Sequence, residues 1–226
     1  MKKQLSSGCS IETVNAMWAP VTSQHIARKL KLRYENVALG GAGNFYILQS
    51  VINKVLTDKD INFVTVGWSH YARLDLFDDL GTPYVTNLDY KFIIEKTATP
   101  TERIDYLEMI HHSQLYQTLF FVYLLQNFLK QRNLDYCMWW TIAPRQKIEN
   151  NHKVMELYEH LDKKRFYKLE ESIMHHNSNV SIHNFATNKG LQVNPPKDLH
   201  PTASAHAEWS NLILDFIQQN KLYASS

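Results

Sequence analysis

The stretch INFVTVGWS, Ile61–Ser69, decides the fold. Its apolar and β-branched residues form a short continuous run, which is typical of a strand that is buried on both faces of a sheet. Asp60 precedes the run and a polar turn follows it. The stretch therefore predicts a buried strand with well-marked ends.

Strand-like and helical segments alternate on both sides of this strand. The strand-like segments are KQLSSGCS (Lys3–Ser10), RYENVAL (Arg33–Leu39) and DYCMWWTIAP (Asp135–Pro144). The helical segments are SQHIARKLKL (Ser23–Leu32), NFYILQSVINKVL (Asn44–Leu56) and the long stretch Thr101–Arg132. Because strands that alternate with helices form βαβ units, this order predicts a parallel sheet with helices on both faces.

Three further regions complete the chain. Residues 77–100 break the alternation, and we interpret them as an excursion near the strand ends that faces the substrate; their turn-forming residues are Gly81, Pro83 and Pro100. The segment HKVMELYEHLDKKRFYKL (His152–Leu169) is predicted to be helical. The segment NFATNKGLQVNPPKD (Asn184–Asp198) is predicted to be a loop that leads into the last helix.

The composition is that of an ordinary globular protein. Hydrophobic residues make up 44% of the 226 residues and charged residues 20%, so we predict a single domain over residues 1–226. The formal net charge of +2 is too small to favour nucleic acid or an anionic membrane as the main partner. No apolar run approaches the ~18 residues that a transmembrane helix needs.

The cysteines and the N-terminal residues bear on location. Cys9 and Cys137 lie in apolar segments, which fits two buried thiols in a reducing compartment. The first residues, MKKQLSSGCS, contain no apolar run of the length that a signal peptide needs. We therefore expect a cytoplasmic protein, and a virus-encoded protein would show the same features.

Chemically useful residues follow the predicted strands. Ligands of open parallel sheets bind outside the carboxyl ends of the strands, so the residues that come next in the chain are the candidates. They are Gly8, Cys9 and Ser10 after the first strand, Gly40 to Asn44 after the second, and Gly67 to His70 after the third. Asp198 and His200 precede the last helix and would join them at the same edge.

Four short sequence blocks that contain these residues, taken in order, resemble the motifs of the SGNH (also called GDSL) hydrolases. The blocks are GCSIE at residues 8–12, NVALGGAGN at 36–44, GWSH at 67–70 and DLHP at 198–201. The resemblance spans most of the chain. It implies a flavodoxin-like, three-layer α/β/α sandwich with a mostly parallel sheet.

The resemblance also implies a role for each block. Ser10 would be the nucleophile, His200 the general base, and Asp198 the acid that orients the imidazole. The oxyanion donors would be the backbone N–H groups of Ser10, at a helix N-terminus, and of Gly41, together with the side chain of Ser69.

The sequence departs from the family pattern at three positions. Cys9 replaces the usual Asp, Ser69 stands where an Asn is expected, and Asp198 lies two residues before His200 instead of three. Asn44 or His70 could supply the oxyanion donor in place of Ser69. Arg73 could clamp an acidic or sugar substrate.

Plainer interpretations of the same residues stay open. Ser10 could be an N-cap of a helix, and the glycine cluster could be a simple turn or a phosphate cradle. We expect His206 to be structural and Glu12 and Asp75 to be solvated. The histidine pairs, His111 with His112 and His175 with His176, lack further ligands at metal-binding spacing, so no metal site is predicted.

These observations favour a serine esterase without a cofactor. Its substrate would be a small acyl ester, and analogy with the family suggests an O-acetyl group on a carbohydrate. Two alternatives remain: a non-catalytic module that binds a glycan or another ligand on the same scaffold, and an acyltransferase that uses the same serine.

Overall fold

The computed structural model describes residues 2–14, 19–71, 73–77, 83–89, 100–144, 151–174 and 179–223. Its strands are β1 (Lys3–Gly8), β2 (Arg33–Asn36), β3 (Ile61–Trp68), β4 (Arg73–Phe77), β5 (Pro83–Asp89), β6 (Asp135–Trp140), β7 (Gln192–Asn194) and β8 (Asp198–Pro201). Its α-helices are α1 (Thr22–Lys29), α2 (Asn44–Thr57), α3 (Pro100–Gln131), α4 (His152–Glu159), α5 (Leu169–Met174), α6 (Ile182–Lys189) and α7 (Ala203–Gln219).

The central sheet is parallel and has the strand order β2-β1-β3-β6. The predicted buried stretch forms β3 and pairs on both sides, with β1 and with β6. Each connection between these strands passes through a helix, and the order is the one that flavodoxin-like sheets begin with. The predicted fold class is confirmed.

Alternate side chains of the strands enter two separate cores. Tyr136, Met138 and Trp140 of β6 pack on one face of the sheet, in a core shared with α2, α3 and α4. Cys137 and Trp139 pack on the other face, in a core shared with α1, α6 and α7. This period of two, together with burial on both sides, explains why these strands read as continuous apolar runs.

The region predicted as one helix over residues 152–169 is broken. Helix α4 ends at Glu159, a 3₁₀ turn covers residues 163–165, and Tyr167 N–H donates to the carbonyl of Met138 at 2.8 Å. The Gln126 side chain holds the break, because it accepts from Asp162 N at 2.8 Å and donates to Asp162 O at 3.2 Å. These contacts come from distant parts of the chain, so helical spacing alone missed them.

The loop predicted over residues 184–198 is also wrong in its first half. Most of α6 lies there; the Ser181 side chain caps it by accepting from Asn184 N, and Gly190 ends it with φ of 67°. The second half forms the antiparallel hairpin of β7 and β8. A left-handed glycine at a helix end is a common stop signal.

The excursion predicted over residues 77–100 contains part of a second hairpin. Strands β4 and β5 pair in antiparallel fashion, which the sequence reasoning did not predict. Residues 78–82 and 90–99 lie outside the described residues. In the part of the chain that is described, no helix is both long and apolar enough to span a bilayer.

Candidate active site

Three predicted residues meet at the carboxyl edge of the sheet. Ser10 follows β1, while Asp198 and His200 lie on β8, 188 and 190 residues further along the chain. His200 Nε2 lies 3.0 Å from Ser10 Oγ, and His200 Nδ1 lies 2.7 Å from Asp198 Oδ1. The three side chains therefore form a continuous hydrogen-bonded chain that ends on a hydroxyl.

The short spacing between Asp198 and His200 is accommodated by one carboxylate oxygen. Asp198 Oδ1 accepts both the backbone N–H of His200, at 2.9 Å, and the ring Nδ1–H. These two hydrogen bonds, the backbone one first, lower the pKa of Asp198. Because a carboxylate can only accept, Nδ1 carries the proton and the lone pair of Nε2 faces Ser10.

Ser10 lies in a tight turn and does not begin a helix, so the predicted helix N-terminus at this position is wrong. Glu12 N–H donates to Cys9 O at 2.9 Å, and Thr13 N–H donates to Ser10 O at 3.3 Å. Asn36 Nδ2 ties the turn to the end of β2 by donating to Glu12 O at 2.8 Å. Among the described residues, the Ser10 N–H has no acceptor.

Gly41 occupies the position of a turn that only glycine fits well. Ala42 N–H donates to Leu39 O at 3.1 Å, and Gly41 has φ of 79°, which is the left-handed value of a type II turn. Within the described ranges the Gly41 N–H finds no acceptor either. Its predicted oxyanion role stays a prediction.

Ser69 is fully buried, and its backbone pairs with Asn44. Ser69 N–H donates to Asn44 Oδ1 at 2.8 Å, and Asn44 Nδ2 donates to Ser69 O at 3.2 Å and to Thr118 Oγ1 at 3.1 Å. The Ser69 hydroxyl itself has no hydrogen-bond partner in the described structure. Neither Ser69 nor Asn44 lines the cleft around Ser10, so their oxyanion roles also stay predictions.

The cleft around Ser10 and His200 has a volume of about 240 Å³. Arg73, predicted as a substrate ligand, lines it. His70, the other candidate, stacks its ring on Tyr71 with centroids 4.4 Å apart and does not line the cleft. The residues that the sequence reasoning missed are Ile11, Ile142, His183, Lys197 and Leu199. The strand-end rule could have found Ile142, because it follows β6 by two residues.

Glu12 is fully buried, so the prediction that it is solvated is wrong. Its Oε2 accepts from Ser23 Oγ at 2.8 Å and from Ser23 N at 3.3 Å. The side chain lies against Gly8 and Gly67, where an added Cβ would meet its carbon atoms at 2.7 Å and 2.9 Å. Burial raises the pKa of Glu12 to about 7, although the bonds from Ser23 oppose the rise.

Asp75 is half-buried and caps helix α2, so it is not simply solvated either. Its two oxygens accept from Gly43 N at 2.6 Å and from Tyr46 N at 2.8 Å. Burial raises its pKa, and the bonds from these amides act in the opposite direction.

His206 is fully buried beside α1, in agreement with a structural role. Its Nδ1 accepts from Thr22 N at 3.1 Å. Burial lowers its pKa to about 3, so the ring is neutral. Over the ranges that the structure describes, no three His, Cys, Asp or Glu residues are grouped as metal ligands would be. The side chains of His111, His112, His175 and His176 lie outside those ranges.

No protein-family model matches the sequence, and no curated protein matches it. Solved structures do. The lipase Lip_vut3 from a goat rumen metagenome aligns with a TM-score of 0.54 and 12% identity over 99% of this chain and all of that one. A Lactobacillus plantarum protein aligns with a TM-score of 0.50 and 10% identity over 96% and 97% of the two chains.

A protein assigned to the G-D-S-L lipolytic family from Desulfitobacterium hafniense DCB-2 has a TM-score of 0.47 and 10% identity, over 99% and 100% of the chains. At such identities a likeness concerns the fold alone. The conclusion on the fold rests on the first two structures, whose TM-scores are at least 0.50, and on the observed parallel strand order β2-β1-β3-β6. The chain has the fold of the SGNH, or GDSL, hydrolases.

Proposed function

We propose that this protein is a serine ester hydrolase. One observation carries the proposal: Ser10 Oγ lies 3.0 Å from the Nε2 of an imidazole whose Nδ1 is held by Asp198 at 2.7 Å. A serine hydroxyl is a weak nucleophile at neutral pH, and a neutral imidazole within hydrogen-bond reach is the usual means of activating it. The arrangement matches the geometry by which such triads are recognised on unrelated folds.

The proposed reaction has two stages. Ser10 Oγ attacks the carbonyl carbon while His200 Nε2 takes its proton, and the imidazolium then returns this proton to the departing alcohol oxygen. Water then attacks the acyl-serine; His200 takes its proton and passes it to Ser10 Oγ, which releases the carboxylic acid. Asp198 stays ionised throughout and stabilises the imidazolium.

The oxyanion is proposed to be bound by backbone N–H groups. Those of Ser10 and Gly41 have no acceptor among the described residues, so both can donate to a ligand; of the two residues, Ser10 lines the cleft and Gly41 does not. Donors of this kind that are fixed in advance are each worth roughly 10²- to 10³-fold in turnover. Ser69, at the position of the family's side-chain donor, is fully buried and does not line the cleft.

The cleft favours a small acyl group. Its volume of about 240 Å³ is below the roughly 300–1,000 Å³ that is usual for sites enclosing a whole small molecule. An acetyl group fits beside Ile11, Ile142 and Leu199, which supply the apolar part of the lining.

Covalent labelling tests the proposal. A fluorophosphonate probe should modify the native protein by one adduct, which peptide mass spectrometry should locate on Ser10, because only an activated serine attacks such a probe at an appreciable rate. The Ser10→Ala variant should remain unlabelled. Absence of labelling in the folded native protein between pH 6 and pH 9 would favour the non-catalytic binding module.

A further inference from the structure

A second cavity adjoins the cleft of Ser10, and Arg73 belongs to the walls of both. Its volume is about 310 Å³, and residues of α2, β4 and α3 line it. Since the Ser10 cleft alone is small, the part of an ester beyond the acyl group has to extend out of it. Arg73 marks the place where the two spaces meet, so the second cavity is a natural site for that part.

Helix α3 presents two glutamine amides to this cavity. Gln114, Gln117, Thr118 and Phe121 follow the spacing i, i+3, i+4, i+7 and therefore lie on one face of the helix. Gln117 is exposed and Gln114 is half-buried, so the polar half of this face lies at the open side of the cavity, where a ligand can reach both amides. Neither glutamine amide has a hydrogen-bond partner among the described residues, so each offers two N–H donors and a carbonyl acceptor.

The polar floor of the cavity is held rigidly. The Asn44 amide is fixed by its bonds to Ser69 and Thr118. The Asp75 carboxylate is fixed by the backbone N–H groups of Gly43, which precedes α2, and of Tyr46. A carboxylate can accept about four hydrogen bonds, so the Asp75 carboxylate, which accepts from the backbone of Gly43, Phe45 and Tyr46, keeps a lone pair for a hydroxyl donor. Among the described residues the Arg73 guanidinium makes one long hydrogen bond, of 3.4 Å, to Ala42 O, which leaves most of its five donors for a ligand.

Two aromatic rings form the apolar wall. Phe45 and Phe121 lie with centroids 5.6 Å apart, and Phe45 is 43% exposed. A sugar ring has C–H groups on its faces and hydroxyls around its rim, so a phenyl wall with amides, a carboxylate and a guanidinium around it is complementary to it. A plain acyl chain would cover these polar groups without bonding them, which is unfavourable.

We infer that the second cavity binds the alcohol part of the ester, and that this part is a sugar unit whose O-acyl group reaches Ser10 past Arg73. The inference rests on the proposed function and deepens it, because it names the substrate class from this chain's own residues. The polar half of the α3 face, Gln114 and Gln117, is its specific recognition element.

Steady-state kinetics on paired substrates test the inference. The sugar esters are monoacetylated methyl glycosides of glucose, galactose and xylose; ethyl acetate and p-nitrophenyl acetate are the esters without a sugar, and p-nitrophenyl octanoate carries a long acyl chain. The native protein should turn over at least one glycoside with a kcat/KM at least tenfold above that for ethyl acetate. The variants Gln117→Leu and Gln114→Leu nearly keep the side-chain volume. In each of them kcat/KM for that glycoside, divided by kcat/KM for p-nitrophenyl acetate, should fall about tenfold, mainly because KM for the glycoside rises.

The matched control is Gln131→Leu, at an exposed position near the end of the same helix, and its ratio should equal that of the native protein. Three results would each overturn the inference. They are equal kcat/KM values for all glycosides and ethyl acetate, an unchanged ratio in both cavity variants, and a preference for the octanoate that these variants increase. The Ser10→Ala variant, assayed with the same substrates, tests the proposed function separately. Hydrolysis that persisted in this variant would contradict the serine mechanism, whatever the ratios of kcat/KM in the glutamine variants.

Discussion

Replacing Ser10 by Ala lowers kcat/KM for p-nitrophenyl acetate by roughly 10⁴- to 10⁶-fold, and replacing His200 by Ala produces a loss of similar size. The reason is that the two side chains act as one unit. The hydroxyl 3.0 Å from Nε2 becomes a useful nucleophile only if the ring takes its proton, and the ring has nothing to activate without the hydroxyl. The double variant should therefore lose no more than either single variant.

Asp198→Asn should cost less than either of these changes but still be severe. The carboxylate accepts both the ring N–H and the backbone N–H of His200, whereas an amide in its place can turn an NH₂ group towards the ring and favour the wrong tautomer. Stopped-flow or steady-state assays across the variants, with thermal unfolding measured in parallel, give the comparison.

Ser204→Ala is the control for removing a hydroxyl near the site. Ser204 is exposed in the first turn of α7, four residues after His200, and does not line the cleft. Its activity should match the native value. Ser10→Ala should unfold within a few degrees of the native protein, because only one hydrogen bond of a partly exposed pair is lost, at a cost of about 1 kcal/mol. Native activity in Ser10→Ala would contradict the mechanism directly.

The sequence predicted those parts of the site that follow from local order. All strands of a parallel sheet end at the same edge. Ser10 could therefore be placed at this edge from two facts, the end of β1 and the residues that follow it. Asp198 and His200 were found because they adjoin each other in the chain. In both cases the signal lies within a few residues.

The errors fall where the environment comes from distant residues. Ser10, Glu12 and Thr13 together look like a helix start, yet Glu12 turns into the core because Gly8 and Gly67 leave space for it. Gly67 lies 55 residues further along, and nothing near Glu12 indicates it. The surroundings of Ser69 also come from a distant residue, because the Asn44 side chain holds its backbone, while its oxyanion role stays a prediction.

Buried Glu12 leads to the second large effect, on stability. Its pKa is about 7 in the folded protein, against a usual value of 4.5. Between these values the folded state holds the proton more tightly than the unfolded state does, so the free energy of unfolding falls as the pH rises through this window. Over the whole window the loss from this group is about 3 kcal/mol.

His206 changes the stability in the opposite direction at lower pH. Its pKa is about 3 when folded and 6.5 ordinarily, so the unfolded state takes up the proton first as the pH falls, and stability is lost from about pH 6.5 down to about pH 3. Between about pH 4.5 and pH 6.5 the two contributions oppose each other. The native curve is therefore expected to be flatter there than either group alone would make it.

Glu12→Gln isolates the contribution of the carboxyl group. Chemical denaturation gives the free energy of unfolding at pH 4.5 and at pH 8. The change in this free energy from pH 4.5 to pH 8 should be about 3 kcal/mol more positive in the variant than in the native protein. The variant is also destabilised at every pH, because its amide NH₂ is buried where Glu12 Oε1 has no partner in the described structure. The change in unfolding free energy between the two pH values is therefore the quantity to compare.

Glu156→Gln, at an exposed position on α4, controls for the chemical change itself. Parallel pH curves for the native protein and Glu12→Gln would mean that Glu12 ionises with its ordinary pKa, and hence that the core beside β1 and β3 admits water. Curves that differ as predicted would mean that Glu12 is a neutral acid below pH 7. Its backbone belongs to the turn that carries Ser10, since Glu12 O accepts from Asn36 and Glu12 N–H donates to Cys9 O. Ionisation of Glu12 above pH 7 would then weaken the part of the core that supports the nucleophile.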